Sequence, residues 1–149
     1  MDPTNEERRH ILRAQHARLR LVIDAARKAA RQALSTGGAA GELRSAVTTL
    51  ERELLAHLAD EERLLAPILA RIDAWGEVRV DLLRAEHAHQ RAVLAVLAGE
   101  RAWTANSVVA GRTLALCDDL LTDMELEDRE LLNEKVLRDD FILLDASDC

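Results

Sequence analysis

A histidine and a glutamate lie four residues apart in the stretch LLAHLADEERLL, which is otherwise rich in leucine. Residues with this spacing face the same side of a helix, so His57 and Glu61 share one helical face. The leucines at positions 50, 54, 58, 64 and 65 share it too, which predicts that the face is buried. A carboxylate buried alone is costly, so Glu61 requires a companion: a cation, a hydrogen-bonded network or a metal ion.

Three other predicted helices also carry a polar residue on an apolar stripe. His16 interrupts the stripe of the first helix, His87 that of the third, and Asp123 and Glu127, again four apart, lie on the fourth. Counted from the predicted turns, these positions have similar heights in an antiparallel bundle, and His16 and His57 differ by about 4.5 Å at 1.5 Å per residue. The spacing predicts six inward polar residues in one layer: His16, His57, Glu61, His87, Asp123 and Glu127.

Four long amphipathic helices with short connections predict an all-α fold, an up-down-up-down four-helix bundle. The expected helices cover about 4–34, 42–71, 78–98 and 106–137. Asp2 is expected to cap the first helix before Pro3, Pro67 to bend or end the second early, and Asn106 or Ser107 to cap the fourth. We expect one domain over residues 1–149, with the bundle at about 4–137 and a C-terminal tail at 138–149.

The composition of the chain limits the classes of molecule that it is expected to bind. The 149 residues include 27 acidic and 20 basic side chains, for a net charge of −7, and only three aromatic residues, which disfavours nucleic acid as a partner. Cys117 and Cys149 form no zinc-finger or disulfide pattern. No stretch suits a signal peptide or a membrane span. These features predict a cytoplasmic protein without membrane contact. The apolar run near the C-terminus leaves both a monomer and a homodimer open.

An internal repeat relates the two halves of the chain. RAQHA, which contains His16, aligns with RAEHA, which contains His87. The pair His57 and Glu61 aligns in the same way with Asp123 and Glu127. Two similar helical hairpins packed together carry a pseudo-twofold pair of half-sites, which is the geometry expected of a two-metal centre.

At these residues the chain resembles the hemerythrin-like family of HHE cation-binding domains, four-helix bundles that hold a non-haem di-iron centre. The resemblance covers about residues 8–137. His16, HxxxE at His57 and Glu61, and His87 match the family's ligand pattern residue by residue. The resemblance implies the six inward residues as metal ligands and iron as the metal, with manganese or zinc as alternatives.

Two positions depart from that pattern. Asp123 stands where the family has a histidine, with Glu127 or Asp128 as the following carboxylate, and Arg91 stands where the oxygen carriers have a second histidine. A more anionic ligand set stabilises Fe(III). The resemblance therefore implies oxygen or redox chemistry or iron-responsive binding, with dioxygen or peroxide as small ligands, rather than reversible oxygen transport.

Two alternatives remain open from the sequence. In a metal-free bundle acting as a structural or interaction module, Arg91 would pair with Glu61 or Glu127 and replace the metal by a salt bridge. In a di-iron oxidase or peroxidase, the same centre would turn over. Cys117 is expected to be a buried thiol without chemical function, and His10 and His89 to be surface residues.

Overall fold

The predicted bundle is present in the computed structural model, which describes residues 1–36, 40–100 and 105–139. In these parts of the chain all regular secondary structure is helical. The four helices are α1 (Asn5–Thr36), α2 (Ala40–Ile72), α3 (Gly76–Glu100) and α4 (Asn106–Glu130). Helix α1 packs along both α2 and α4, and α2 packs along α3, whereas α3 packs much more loosely on α4. Most of the predicted tail, residues 140–149, lies outside the described residues.

The core consists of two apolar clusters, one on either side of the predicted polar layer. One contains Leu19, Leu58 and Met124, and the other contains Leu12 and Leu64. Each histidine of the polar layer therefore lies on a helix between leucines of the two clusters, as the apolar stripes predicted. No described helix has an apolar stretch long enough to cross a membrane.

The N-terminal cap of α1 differs from the prediction. Thr4 Oγ1 accepts a hydrogen bond from the Glu7 backbone N–H (3.1 Å), and Glu7 Oε2 accepts one from the Thr4 N–H (2.7 Å). This reciprocal pair is a capping box, which satisfies two otherwise unpaired donors. The expected cap at Asp2 was therefore wrong, because a capping box two residues later fixes the start of the helix at Asn5.

Helix α2 continues through Pro67 to Ile72, so of the two expected effects of this proline, a bend or an early end, the early end was wrong. Proline removes one backbone donor, but Pro67 is exposed, and buried Leu65 and Leu69 hold the helix on both sides of it. The chain then turns at Gly76, where any side chain would collide with the Leu69 carbonyl oxygen. Glycine at this position permits the close approach of α2 and α3.

Helix α4 ends at Glu130, earlier than the expected end near residue 137. The Asn133 side chain explains the difference, because its Oδ1 accepts hydrogen bonds from the N–H groups of Lys135 (2.9 Å) and Val136 (3.1 Å). Such side-chain bonds compete with the helical backbone pattern. At the other end, Ala105 occupies the cap position without a side-chain bond, so the predicted cap at Asn106 or Ser107 was also wrong.

Cys117 is fully buried, and burial raises the pKa of its thiol to about 12. Only the thiolate reacts, so at pH 8 the thiol should react about 10³-fold more slowly than an ordinary cysteine. A Cys149→Ser variant isolates Cys117 for measurement with a chromogenic thiol reagent. We expect labelling only after denaturation. Fast labelling of the native variant would contradict the burial of this side chain.

Candidate metal centre

Four of the six residues predicted for the polar layer form a compact group in the bundle core. His16 comes from α1, His57 and Glu61 from α2, and Glu127 from α4, and one potential ligand atom of each lies within 4.8 Å of the other three. The ring centroids of the two histidines are 4.9 Å apart, in keeping with the similar heights predicted for them. All but Glu127, which is half-buried, are shielded from solvent.

The other two predicted residues adjoin this group. His87 on α3 is buried, and its Nε2 lies 3.3 Å from Glu61 Oε2, the same oxygen that lies 3.3 Å from His57 Nε2. Asp123 lies one turn before Glu127 on α4 and lines the same small cavity as Glu61 and Glu127. Glu61 is therefore the central side chain of the layer, since it faces two histidines from different helices.

Several atoms that face the interior of this group have no hydrogen-bond partner among the described residues: Nε2 of His16, Nε2 of His87 and both oxygens of Glu61. Their closest nitrogen to oxygen approaches, 3.3 Å, lack the alignment of a hydrogen bond. Charge-assisted N–H···O bonds are normally about 2.7–2.9 Å. Two ligands each about 2.1 Å from one metal ion lie about 3.0–3.4 Å apart. The spacing therefore suits ligands of a shared ion.

A chain of hydrogen bonds fixes the tautomer of His57. Asp60 can only accept, so the Gln15 amide must turn its Nε2 toward Asp60 Oδ2 (2.8 Å), and Arg63 holds the same carboxylate (2.9 Å). The Gln15 Oε1 then faces His57 Nδ1 at 2.8 Å, so Nδ1 carries the proton and donates it. In the neutral ring, the lone pair on Nε2 points toward Glu61 and is free to bind a metal.

His16 has an equivalent arrangement on the opposite side of the layer. Its Nδ1 donates to Asp128 Oδ1 (2.8 Å), and Arg20 holds the other oxygen of that carboxylate (2.7 Å). Asp128, the competitor of Glu127 as ligand, thus lies on the outer side of the ring, while Glu127 Oε2 lies 3.3 Å from the inner Nε2. Glu127 is the better placed of the two for an ion in the core.

His87 has the same pattern, which corrects the expected role of Arg91. His87 Nδ1 donates to Glu62 Oε1 (2.8 Å), and Arg91 binds that oxygen as well (2.7 Å). The expectation that Arg91 pairs with Glu61 or Glu127 was wrong, because its guanidinium reaches the outer carboxylate instead. No arginine or lysine of the described part of the chain forms a salt bridge with Glu61.

The internal repeat extends beyond the inward residues. The set of His16, Asp128 and Arg20 on one side of the layer corresponds to His87, Glu62 and Arg91 on the other, with similar distances. The two sets differ in that Arg20 binds the other oxygen of its carboxylate, whereas Arg91 binds the same oxygen as the histidine. In each half the arginine lies four residues after the histidine. Arg91 is thus the counterpart of Arg20, a residue that orients a histidine through a carboxylate.

The second half differs at the position of His57, which Asp123 occupies. The Gln90 amide donates from Nε2 to Asp123 Oδ2 at 3.1 Å. Its own Oε1 is buried and has no hydrogen-bond partner in the described part of the protein. Glu86, the counterpart of Gln15, is exposed but also contacts Asp123.

The pKa values of the carboxyl groups indicate that the polar layer holds more carboxylates than its cationic side chains balance. Partial desolvation and the neighbouring Asp123 raise the pKa of Glu86 to about 7. Burial also raises the pKa of Glu127, with Glu61 adding to the rise and His16 opposing it. Burial alone would raise the pKa of Glu61, but the facing imidazoles of His57 and His87 bring it well below its usual range. Carboxylates held this close favour a bound cation.

A small cavity adjoins the layer on the side of the larger apolar cluster. Its polar lining consists of His57, Glu61, Gln90, Asp123 and Glu127, and its apolar lining of Leu19, Ile23, Leu54, Leu58, Leu120 and Met124. Its volume is about 10 Å³. That is close to the minimum for one water molecule, so the cavity suits an ion or a very small molecule.

The residues of the layer fit a metal ion. In neutral histidine and ionised glutamate, the atoms without hydrogen-bond partners named above are all acceptors, and acceptors cannot satisfy one another. Against the effect of burial, the facing carboxylates raise the pKa of His16 and His87, so a proton competes with a metal ion for each inner nitrogen. Imidazole nitrogen with carboxylate oxygen is a donor set that suits iron, manganese and zinc. The outer partners orient three imidazoles with Nε2 inward, as is usual for metal-binding histidines.

The sequence model of the hemerythrin HHE cation binding domain family matches residues 8–134, most of the chain. The chain belongs to this family. No significant match was found among curated proteins or among solved structures. Membership confirms the resemblance inferred from the inward residues, together with a hemerythrin-like bundle as the fold.

Within the hemerythrin HHE family, metal binding is the property that the domain is named for. His16, His57 and Glu61, which carry much of the resemblance, are all in the core group with Glu127. Asp123 on α4 replaces the histidine of the family pattern, and in the structure it accepts a hydrogen bond from Gln90 on α3. The assignment of each of the six residues as a ligand remains a prediction.

Sequence reasoning missed two side chains that matter here. Gln15, directly before His16, orients the ring of His57, and Gln90 brings an oxygen to the cavity. Gln90 had a detectable signal, because it lies three residues after His87 on the stripe that continues to Leu94. Gln15 had none, because its partner lies on another helix.

The role of Gln15 gives a direct prediction. Gln15→Leu removes the acceptor for the His57 Nδ1–H, so the ring is free to change tautomer or rotate. We expect metal affinity to fall about 10- to 100-fold, as measured by competition with a chromophoric chelator. Gln32→Leu, a matched change at an exposed position of the same helix, should leave affinity unchanged. Equal affinities of the two variants would contradict this role.

Proposed function

We propose that this chain is a cytoplasmic metal-binding protein that holds a pair of iron ions in the bundle core and serves oxygen, redox or iron-responsive chemistry. The observation that carries the proposal is the convergence of acceptor atoms without donors around Glu61. His16, His57, Glu61 and Glu127 are the residues that would hold one ion. His87 and Asp123, with both glutamates shared, would hold the second.

The charges of the layer support two ions. Glu61, Glu127, Asp123 and Glu86 form no salt bridge with an arginine or lysine in the described residues, whereas the outer carboxylates each have one. Two divalent cations would balance these four carboxylates once Glu86, whose pKa is raised to about 7 in the absence of metal, is ionised. The three inward histidines are neutral in that state, since a nitrogen must be deprotonated to bind metal.

The surroundings favour redox or sensing chemistry over reversible oxygen transport. Bound iron supplies a one-electron redox couple and a position for a small ligand. Asp123 replaces a neutral nitrogen by an anionic oxygen, and an anionic donor set stabilises Fe(III). The leucines of the cavity exclude bulk water, and its small volume restricts ligands to very small molecules.

Metal content after anaerobic loading tests the proposal. Apo protein is incubated with Fe(II), desalted without oxygen and analysed by elemental mass spectrometry. We expect about two irons per chain. Glu61→Gln should retain almost none, because this carboxylate faces histidines of both halves. Protein that stays free of metal after loading with Fe(II), and likewise with Mn(II) and Zn(II), would refute the proposal.

A matched control separates loss of the centre from loss of surface charge. Glu125 lies on α4 close to the centre in sequence, and its side chain is exposed. Glu125→Gln makes the same chemical change as Glu61→Gln and should retain full metal content. Equal loss in both variants would point to nonspecific binding by the acidic surface.

Turnover with dioxygen or peroxide is the second candidate, favoured by the small size of the cavity. An oxidase or peroxidase would consume peroxide or oxygen steadily with a reductant present, and His57→Ala would abolish the consumption. A binding or sensing protein would oxidise once, in proportion to its iron, and then stop. Time courses at several ratios of peroxide to protein distinguish the two.

A further inference from the structure

The two halves of the centre differ at three corresponding positions. His57, Gln15 and Leu19 in the first half have Asp123, Glu86 and Gln90 as their counterparts in the second. Each of the three differences places one or more additional oxygen atoms near the second half. The outer contacts of His16 and His87, by contrast, are similar, since each Nδ1 lies 2.8 Å from a carboxylate oxygen.

The orientation of Gln90 is determined by its partner. Asp123 accepts hydrogen bonds and has none to give when ionised, so the amide must present Nε2 to Asp123 and turn Oε1 away from it. Oε1 is buried and finds no hydrogen-bond donor in the described ranges, while the side chain as a whole is 5% exposed and lines the cavity with Glu61 and Glu127. A buried carbonyl without a partner is costly, and the groups beside it are acceptors. A cation would satisfy it.

We infer that Gln90 supplies a carbonyl oxygen ligand to the second half of the centre, and that this half accepts a hard divalent cation of the Mn²⁺ type as well as iron. This inference rests on the proposed metal centre and adds a ligand and a metal preference to it. The first half has the nitrogens of His16 and His57, whereas the second has one nitrogen, from His87, and is otherwise built from oxygens.

Donor chemistry supports different metals in the two halves. Carboxylate and carbonyl oxygens suit magnesium, calcium and manganese, while imidazole nitrogen suits zinc, copper and iron. Asp123 and Gln90 therefore shift the metal preference of the second half toward manganese, whereas His57 favours zinc or iron in the first half. The amide also contributes no charge, so it adds a donor without enlarging the carboxylate surplus.

Sequential metal loading tests the inference. Apo protein receives one equivalent of Zn(II) and is then titrated with Mn(II), and electron paramagnetic resonance measures the free Mn(II). Wild-type protein should bind about one Mn(II) per chain beside the zinc. Gln90→Met, nearly the same shape with a soft thioether, should weaken Mn(II) binding at least about 10-fold. The affinity for the first zinc should change less than about 3-fold.

Gln90→Glu separates a ligand from a residue that only positions Asp123. It keeps an oxygen donor, which is now charged, but loses the N–H donor to Asp123, so a ligand role predicts Mn(II) affinity no lower than about one third of that of wild type. Loss of affinity equal to that of Gln90→Met would overturn the inference. If Gln90→Met does not fold, as judged by circular dichroism, Gln90→Leu replaces it.

Failure of the inference is distinguishable from failure of the centre. If wild-type protein binds neither Zn(II) nor Mn(II), the proposed function fails and the inference fails with it. If two zinc ions bind and the Mn(II) affinities of wild type and Gln90→Met are equal, the centre stands and the inference alone is wrong.

Discussion

Saturation with Fe(II) under anaerobic conditions is expected to raise the melting temperature of the protein by about 8 °C, and Glu61→Gln to abolish the rise. A ligand present at 100 times its dissociation constant stabilises the folded state by about 2.7 kcal/mol. For a chain of this size, about 1 kcal/mol corresponds to about 3 °C. Glu61 faces both His57 and His87, so losing its charge weakens both halves of the centre at once.

Differential scanning fluorimetry or circular dichroism with and without a chelator measures this shift. Glu125→Gln, which changes an exposed glutamate of α4, serves as the control and should show the full rise. A rise of the same size in Glu61→Gln would show that iron binds elsewhere. Equal melting temperatures of wild-type protein with iron and with chelator would favour the metal-free bundle.

Asp123→His is expected to tighten the binding of Fe(II) and Zn(II) and to weaken that of Mn(II). The change makes the second half resemble the first, with histidine where His57 stands. Glu86 would then occupy the place that Gln15 has beside His57, as an acceptor for the new Nδ1–H. One additional nitrogen in place of a carboxylate oxygen moves the metal preference toward zinc and iron.

The same variant separates the metal-bound state from a metal-free network. In a metal-free core, Asp123→His replaces a carboxylate by a second base beside His87, and the free energy of unfolding should fall by a few kcal/mol. The effect of Asp123→His on the melting temperature in the presence of Fe(II) therefore has opposite signs in the two cases. Stabilisation by iron beyond that of wild type supports the di-metal centre, whereas a loss that iron does not rescue refutes it.

The number of helices, their buried faces and the level of the polar layer could be predicted because each depends on periodic spacing within one helix. His16, His57 and His87 all lie on their predicted stripes in the core. The helix ends were harder, because they depend on local side-chain bonds that compete with the helix, such as those of Thr4 and Asn133.

The contacts between helices could not be predicted from the sequence, for a different reason. Arg91 has the right spacing from His87 to face inward or to lie at the edge, and only the position of Glu62 on α2 decides between them. The correspondence between Arg20 and Arg91 was present in the repeat, since both lie four residues after a histidine. The role of the two arginines could not be inferred until the positions of the carboxylates on the neighbouring helices were known.

The loose packing between α3 and α4 has a consequence for local unfolding. Helix α3 packs mainly on α2, where Glu62 binds His87 and Arg91. Its hydrogen bond to α4 runs from Gln90 to Asp123. In the absence of metal we expect its amide hydrogens to exchange faster than those of α1, and ions shared between His87 and the other helices to slow that exchange selectively. Metal binding at the centre would then govern how often α3 separates from the other three helices, a change that limited proteolysis can detect.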